Sequence, residues 1–501
     1  MSWDVILKYL PTVEQPKKHV SFKSRLKWVG IVLLLYYFLG QITLYGVAPE
    51  IVERFKYLEM ILGAKMGSLI TLGIGPIVTA SIILQLLVGA EIIPWDLKTE
   101  EGKEKFMGVQ KLFSLFLTFV EAFAYVEFGA IQPINTSVFI STILILQIAF
   151  GGIIIMLLDE VVSKWGVGSG VSLFIAAGVS KTIVLRLLNP LKAAGSTVPV
   201  GLLPQIFVYL GQGNTAGVVT ALMPIIATII VLLIVSFFQL VKVEIPLAFG
   251  SFTGFSRRWP LNFIYTSNMP VILIAALLAN LRLIANMLFT RGITFLGSFD
   301  SYGYPTSGFI YYLTAPSSPS LRRIMIIFGL FVLGGILLSE FLFKEHGTKI
   351  ILGSLVIGLI AGIFASYYSI GLPLRQDVIR AITYTLFMGI GSLIFSIFWV
   401  QTSGMDAHSV AKQIQSIGMQ IPGFRRDPRI IETVLNRYIM PLAAMGGIFV
   451  GILAAFSDFT NVLGGGIGIL LTVMIISQLY EQIMSSYAEE LNPAVRKFLG
   501  R

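Results

Sequence analysis

GSLITLGIGPIVTASIILQLLVG, residues 67–89, is long enough to cross a bilayer, yet it starts unlike an ordinary membrane anchor. Gly73, Gly75 and Pro76 lie in its first half, where glycine weakens a helix and proline bends or ends one. Just before it, RFKYLEMILGAK (54–65) reads as a short amphipathic helix, too charged and too short to cross lipid. Together the two predict a half-inserted helix, a break, and then a full crossing. Irregular backbone at membrane depth is tolerated only where protein or a water-filled cavity covers it. The stretch is therefore expected to line a pathway.

The rest of the chain supports a membrane setting. It is 55% hydrophobic and only 12% charged, where a soluble domain carries about 25% charged residues. Mean hydropathy is +0.85. Repeated apolar runs of roughly 20 residues predict an all-α polytopic membrane protein. A β-barrel is excluded because the runs are continuous rather than alternating. Met1–Trp28 is polar and basic, so no cleavable signal peptide is expected. The absence of cysteine rules out disulfides, iron–sulfur clusters and thiol catalysis. A net charge of +10 suits basic cytosolic loops and does not require a nucleic-acid ligand.

Apolar segments are expected near 28–46, 70–90, 108–128, 137–158, 168–188, 217–241, 268–290, 324–342, 350–369, 381–400, 438–456 and 463–484. Twelve crossings place both termini on one side. Lys and Arg are retained in the cytosol, and a cytosolic N-terminus puts 24 of the 36 on the inside. Both ends, the segment 1–27 and the tail 485–501, are thus expected to be cytosolic. The longest cytosolic loops are Lys242–Ser267, with Arg257 and Arg258, and Gln401–Arg437, with Arg425 and Arg426 in GFRRDPR. Topology signalling needs only a few charges near a helix end, so their length favours a docking surface. Ribosomal RNA phosphates would suit such patches. Outside, Asn189–Ala216 and Gly292–Leu321 are rich in Gly, Pro and Ser and read as irregular loops. The sequon at Asn135 sits in a very short loop beside the membrane and reads as chance.

Catalytic chemistry finds little support. His19, His346 and His408 fall in separate cytosolic segments, and no HExxH or GxSxG is present. No metal or other cofactor is expected. Gly166–Gly170 (GVGSG) lacks the Lys-Ser/Thr of a phosphate loop and reads as a helix start. More informative are Thr79, Glu121 and Asn280 within crossings, since such groups are costly in lipid and face an interior or a cavity. Each alone reads as a packing hydrogen bond, and nothing in the spacing brings the three together.

Five stretches are familiar: ITLGIGPIVTASIILQLLVG (70–89), GVGSGVSLFIAAGVS (166–180), YTSNMPVILIAALLAN (265–280), LNRYIMP (435–441) and GGGIGILLTV (464–473). In this order they resemble the SecY family, the channel subunits of the protein translocon, and most resemble its archaeal branch with a eukaryotic-like flavour. The resemblance runs from Phe22 to the C-terminus. It implies ten helices in two inverted halves, 28–188 and 217–484, closed like a clamshell around a pore. Matching by motif, the pore ring is Ile74, Val78, Val171, Ile175, Ile272 and Leu471. A narrow aliphatic collar offers ions no replacement for their hydration and seals by dewetting. The plug is expected near 54–65, with Arg54, Phe55, Leu58, Ile61, Leu62 and Lys65. Thr79, Glu121 and Asn280 are expected to form the polar cluster of a lateral gate, and Arg257, Arg258, Arg425 and Arg426 to dock the ribosome.

One departure stands out. Between YYLTAP (311–316) and the family's eighth helix, two extra apolar segments, 324–342 and 350–369, predict an inserted hairpin. Two crossings keep every later loop on its expected side. The implied function is translocation of unfolded polypeptides and sideways release of transmembrane segments into the lipid of the cell membrane. The implied partners are a SecE-type subunit, a small beta-type subunit, a ribosome or other cytosolic motor, signal sequences and nascent chains. The alternative is a secondary transporter with a broken second helix, which would need a polar site at mid-membrane. An intramembrane enzyme would need a nucleophile–base or metal cluster.

Overall fold

The computed structural model describes residues 11–17, 20–48, 67–89, 92–95, 97, 99–128, 130–135, 137–192, 197–249, 256–300, 303–341, 347–416, 419–420 and 428–490. The expected plug residues Arg54, Phe55, Leu58, Ile61, Leu62 and Lys65, and the loop residues Arg425 and Arg426, lie outside them.

Twelve long helices follow the twelve apolar segments. They are α1 (Phe22–Leu39), α2 (Gly75–Gly89), α3 (Glu100–Glu127), α4 (Val138–Trp165) and α5 (Gly170–Leu188) in the first half. A short α6 (Leu202–Gly211) leads to α7 (Thr215–Leu240) and, after the hairpin β1 (Lys242–Phe249) and β2 (Ser256–Asn262), to α8 (Met269–Thr290). A small ribbon, β3 (Ser298–Phe299) and β4 (Pro305–Ser307), and the single turn α9 (Phe309–Tyr312) precede α10 (Pro319–Phe341) and α11 (Gly347–Ser369). The chain ends with α12 (Arg375–Thr402), α13 (Ala407–Ser416), β5 (Met419–Gln420), α14 (Pro428–Phe459) and α15 (Gly466–Glu490).

Ten of the twelve have the length and apolar composition to cross a membrane. The two others differ for visible reasons. Lys23, Arg25 and Lys27 open the 18-residue α1, and α2 has only 15 residues because its helix starts at Gly75 rather than near residue 70. From Ser68 to Ile74 the backbone runs as successive turns, with Gly67 at φ 76° and Gly73 at φ 53°. Glycine takes such positive φ at no steric cost. The break expected in the opening stretch is thus present and ends where Pro76 sits in the first turn, the position that tolerates proline. The turns are covered by protein: Leu44 donates to the Gly67 carbonyl at 3.0 Å, Leu69 to Ile42 at 2.9 Å, and Thr71 is fully buried.

Helices α1–α5 pack among themselves, as do α7–α15, and the two sets meet along α2 against α8 and α12 and along α5 against α15. The extra segments form a helical hairpin, with α10 lying on α7 and α14. On its other arm Leu352, Val356, Ile360 and Phe364 are exposed, as lipid-facing positions would be. At the N-terminus, Lys164 Nζ donates to the Val13 carbonyl at 2.6 Å and the Val13 amide donates to Glu160 at 2.8 Å, fastening the leading segment to α4.

Both outer loops read as irregular carry structure: α6 lies within 189–216, and the β3–β4 ribbon and α9 within 292–321. The two loops expected to be cytosolic carry more. β1 pairs antiparallel with β2 on one side and, at Ala248 and Phe249, with β5 on the other. The loops 242–267 and 401–437 therefore share one three-stranded sheet, ordered β2-β1-β5.

Candidate functional site

Each aliphatic residue expected at the constriction sits near a helix start, where the preceding chain holds it. Ile74 directly precedes α2, and Val78, in its first turn, donates its amide to the Ile74 carbonyl at 3.1 Å. Ile272 has the same place in α8, with its amide bonded to the Asn268 carbonyl at 3.1 Å. Both helices have proline as their second residue and the ring residue as their fourth: Gly75-Pro76-Ile77-Val78 and Met269-Pro270-Val271-Ile272. In α5 and α15 the first residue is glycine, and Ile175 and Leu471 are each the sixth. Ile74, Val78, Ile175, Ile272 and Leu471 are 1–4% exposed and belong to one hydrophobic cluster, and the half-buried Val171 packs against it. Four helices from both halves thus bring six apolar side chains into one core.

Thr79, adjacent to Val78, begins a polar seam. Asn280 Nδ2 on α8 donates to Thr79 Oγ1 at 2.8 Å, joining α2 to α8 across 201 positions of sequence. The Thr79 hydroxyl also lies 2.8 Å from the Gly75 carbonyl of its own helix. Glu121 of α3 lies close enough to interact with the same hydroxyl. Of the three polar residues that sequence spacing could not connect, Asn280 and Thr79 are therefore hydrogen-bonded with Glu121 near them, one residue from the apolar cluster. A hydroxyl is suited to this place because it both donates and accepts.

Arg257 and Arg258 lie on β2, where their backbones pair with Leu247 and Pro246 of β1. Sequence reasoning passed over two acids. Asp159 and Asp458 bond to the first amides of α5 and α15. The sole signal for them was a carboxylate at the edge of an apolar run, just beyond the expected segment ends at 158 and 456. A third omission is Ser396 of α12, whose hydroxyl contacts the Thr266 hydroxyl at 2.8 Å and the Ala443 carbonyl at 2.6 Å, tying α12 to α14.

Comparison with known proteins gives one answer. The SecY family model matches residues 68–480. Among curated relatives, the protein translocase subunit SecY of Methanocaldococcus jannaschii is 41% identical, covering 99% of both chains. That of Pyrococcus furiosus is 39% identical over 98% of this chain and 97% of the relative. Among solved structures, a protein-conducting channel superposes with a TM-score of 0.78 at 40% identity, covering 99% of each chain. Sec61 in the canine ribosome–channel complex from the endoplasmic reticulum gives 0.75 at 40% identity with the same coverage. With the family's matches spanning nearly the whole chain, this multi-pass membrane protein belongs to the SecY family, the channel subunits of the protein translocase.

Proposed function

We propose that the chain forms the pore of a Sec-type channel whose constriction is the ring Ile74, Val78, Val171, Ile175, Ile272 and Leu471. What supports this is that the six side chains, at or near the starts of α2, α5, α8 and α15, belong to or pack against one hydrophobic cluster drawn from both halves. An aliphatic collar of β-branched and leucine side chains excludes hydrated ions, because it presents no group to replace their water. It binds no particular residue of a passing chain, so any unfolded polypeptide can part it. The segment 54–65 acts as the external plug. Thr79, Glu121 and Asn280 close the lateral gate, and a hydrophobic signal sequence opens it by supplying contacts that favour the parted state.

The remaining assignments follow the same reading. Both termini face the cytosol of a cell membrane, and the channel performs no chemistry of its own. Drive comes from a ribosome or another cytosolic motor docked on the shared sheet and on Arg257, Arg258, Arg425 and Arg426. A SecE-type subunit and a small beta-type subunit complete the assembly, and membrane lipids receive released segments.

The test uses the absence of cysteine. With Ile272→Cys as the sole thiol, a stalled secretory chain bearing a cysteine probe should crosslink to the channel. Crosslinking only to lipid-facing cysteines, for example at Val356 or Ile360, and none at 272 would refute the pore assignment.

A further inference from the structure

The two ring-bearing helices α5 and α15 start in the same unusual way. Asp159, six residues before the end of α4, reaches over to α5, and its Oδ1 accepts the Val171 amide at 2.9 Å. Asp458, the penultimate residue of α14, does the same for α15, with Oδ1 accepting the Ile467 amide at 3.2 Å. The first-residue amides, Gly170 and Gly466, lie near enough to interact with the same carboxylates. In each case the capped amide belongs to the second helical residue, and the ring residue follows four positions later: Ile175 after Val171, Leu471 after Ile467.

The contact is close enough to dictate glycine. A Cβ on Gly170 would lie 2.6 Å from Asp159 Cα, and one on Gly466 only 2.0 Å from the Asp458 amide nitrogen. Ser169, the local N-cap of α5, makes no side-chain cap bond, so the remote aspartate supplies what the neighbouring hydroxyl does not. Asp458 is itself held, since the Tyr384 hydroxyl of α12 donates to its Oδ2 at 2.5 Å.

The physical consequence is positional. The first amides of a helix have no partner within the helix. A carboxylate there makes a charge-assisted bond and is favoured by the helix dipole. Both acids reach in from the preceding helix of the same half, so each fixes where a ring-bearing helix begins relative to its neighbour. One helical turn later stands the residue that must meet the opposing half. In the cytosolic-termini topology the Asp159 tie lies toward the cytosol and the Asp458 tie toward the outside, as an inverted repeat requires.

We propose that Asp159 and Asp458 are positioning residues of the channel, a matched pair of ties that hold Ile175 and Leu471 in the register that closes the ring. The proposal rests on the ring assignment above, and its test separates the two. Purified complexes are fused into planar bilayers and resting ion conductance per channel is measured, with thermal melting of the assembly as a parallel readout. Ile175→Ser and Leu471→Ser are the controls for the ring. Asp159→Ala and Asp458→Ala should each raise resting conductance several-fold. Asp159→Asn and Asp458→Asn should stay near the parent, because the amide oxygen still accepts the helix N–H. Asp458→Ala added to Leu471→Ala should leak no more than Leu471→Ala alone, since the acid acts through that leucine. Should an alanine variant not assemble, the serine variant, too short to bridge to the amide, is read in its place. Leaky ring controls beside silent aspartate variants, or additive effects of Asp458→Ala and Leu471→Ala, would overturn the positioning role. Silent ring controls would instead overturn the ring.

Discussion

Truncating Asn280 to alanine should make the channel easier to open, by an amount the seam itself sets. The substitution removes the 2.8 Å bond to Thr79 that spans α2 and α8. It leaves no orphaned hydroxyl, because Thr79 keeps the Gly75 carbonyl as its partner. Side-chain hydrogen bonds between membrane helices contribute about 0.6 kcal/mol on average and about 1.7 at most. Lost only from the closed state, that range moves the closed-to-open equilibrium about 3- to 20-fold toward open, because 1.4 kcal/mol corresponds to a factor of ten. The assay is translocation into proteoliposomes of one precursor with either a full or a shortened hydrophobic signal. If the seam is the gate proposed above, a full signal supplies the contacts that part it, so its rate should change little. The shortened signal should gain about threefold or more, by the same equilibrium arithmetic. Equal gains for both signals, or slower translocation of the weak one, would show that the bond does not hold the closed state.

Three further outcomes are expected. Val78→Asn places an amide in the apolar cluster and should raise resting ion conductance in planar bilayers; unchanged conductance would count against the seal. Gly151→Ala should destabilise the first half by about 1–3 kcal/mol or more, because the new Cβ would stand 1.7 Å from the Leu69 carbonyl oxygen, and a melting temperature equal to the parent's would contradict this. Tyr265, whose hydroxyl donates to the Met405 carbonyl at 2.7 Å, is pushed up to about 12 by burial and then by the nearby Asp406 charge. Its neutral form is favoured in the folded state, so its contribution is full below pH 10 and is lost as pH rises toward 12. The difference between parent and Tyr265→Phe ultraviolet titrations should show one phenol ionising near pH 12; ionisation near 10 would refute the buried environment.

Length and apolarity made the helices legible, because a crossing is a continuous run whatever it packs against. Gly73, Gly75 and Pro76 likewise marked the start of α2, since their effect on the backbone is local. What pairing decides was hidden. Asn280 and Thr79 lie 201 positions apart, and either reads alone as an ordinary packing group. Asp159 and Asp458 fell at the rims of apolar runs, where a carboxylate looks like a loop residue until its partner amide is seen. The three-stranded sheet was obscured by proline: Pro246 lies in β1 and Pro260 in β2, and proline argues against a central strand. The structure accommodates Pro246 because, among the described residues, β5 flanks β1 at Ala248 and Phe249 and not at Pro246. The roles of the six ring residues came from resemblance to the SecY family, as periodicity alone would read each as core.

That sheet has a mechanical consequence. β1 and β2 hang from α7 and α8, and β5 lies between α13 and α14, so backbone hydrogen bonds splice three long helices into one strut. A load applied to either loop is shared by both before it reaches the bilayer. Among the described residues α2 and α3 contribute no strand to this sheet, so a load on it is carried by the second half. The contacts of α2 with α8 and α12, and of α5 with α15, are where such a load would pass to the first half.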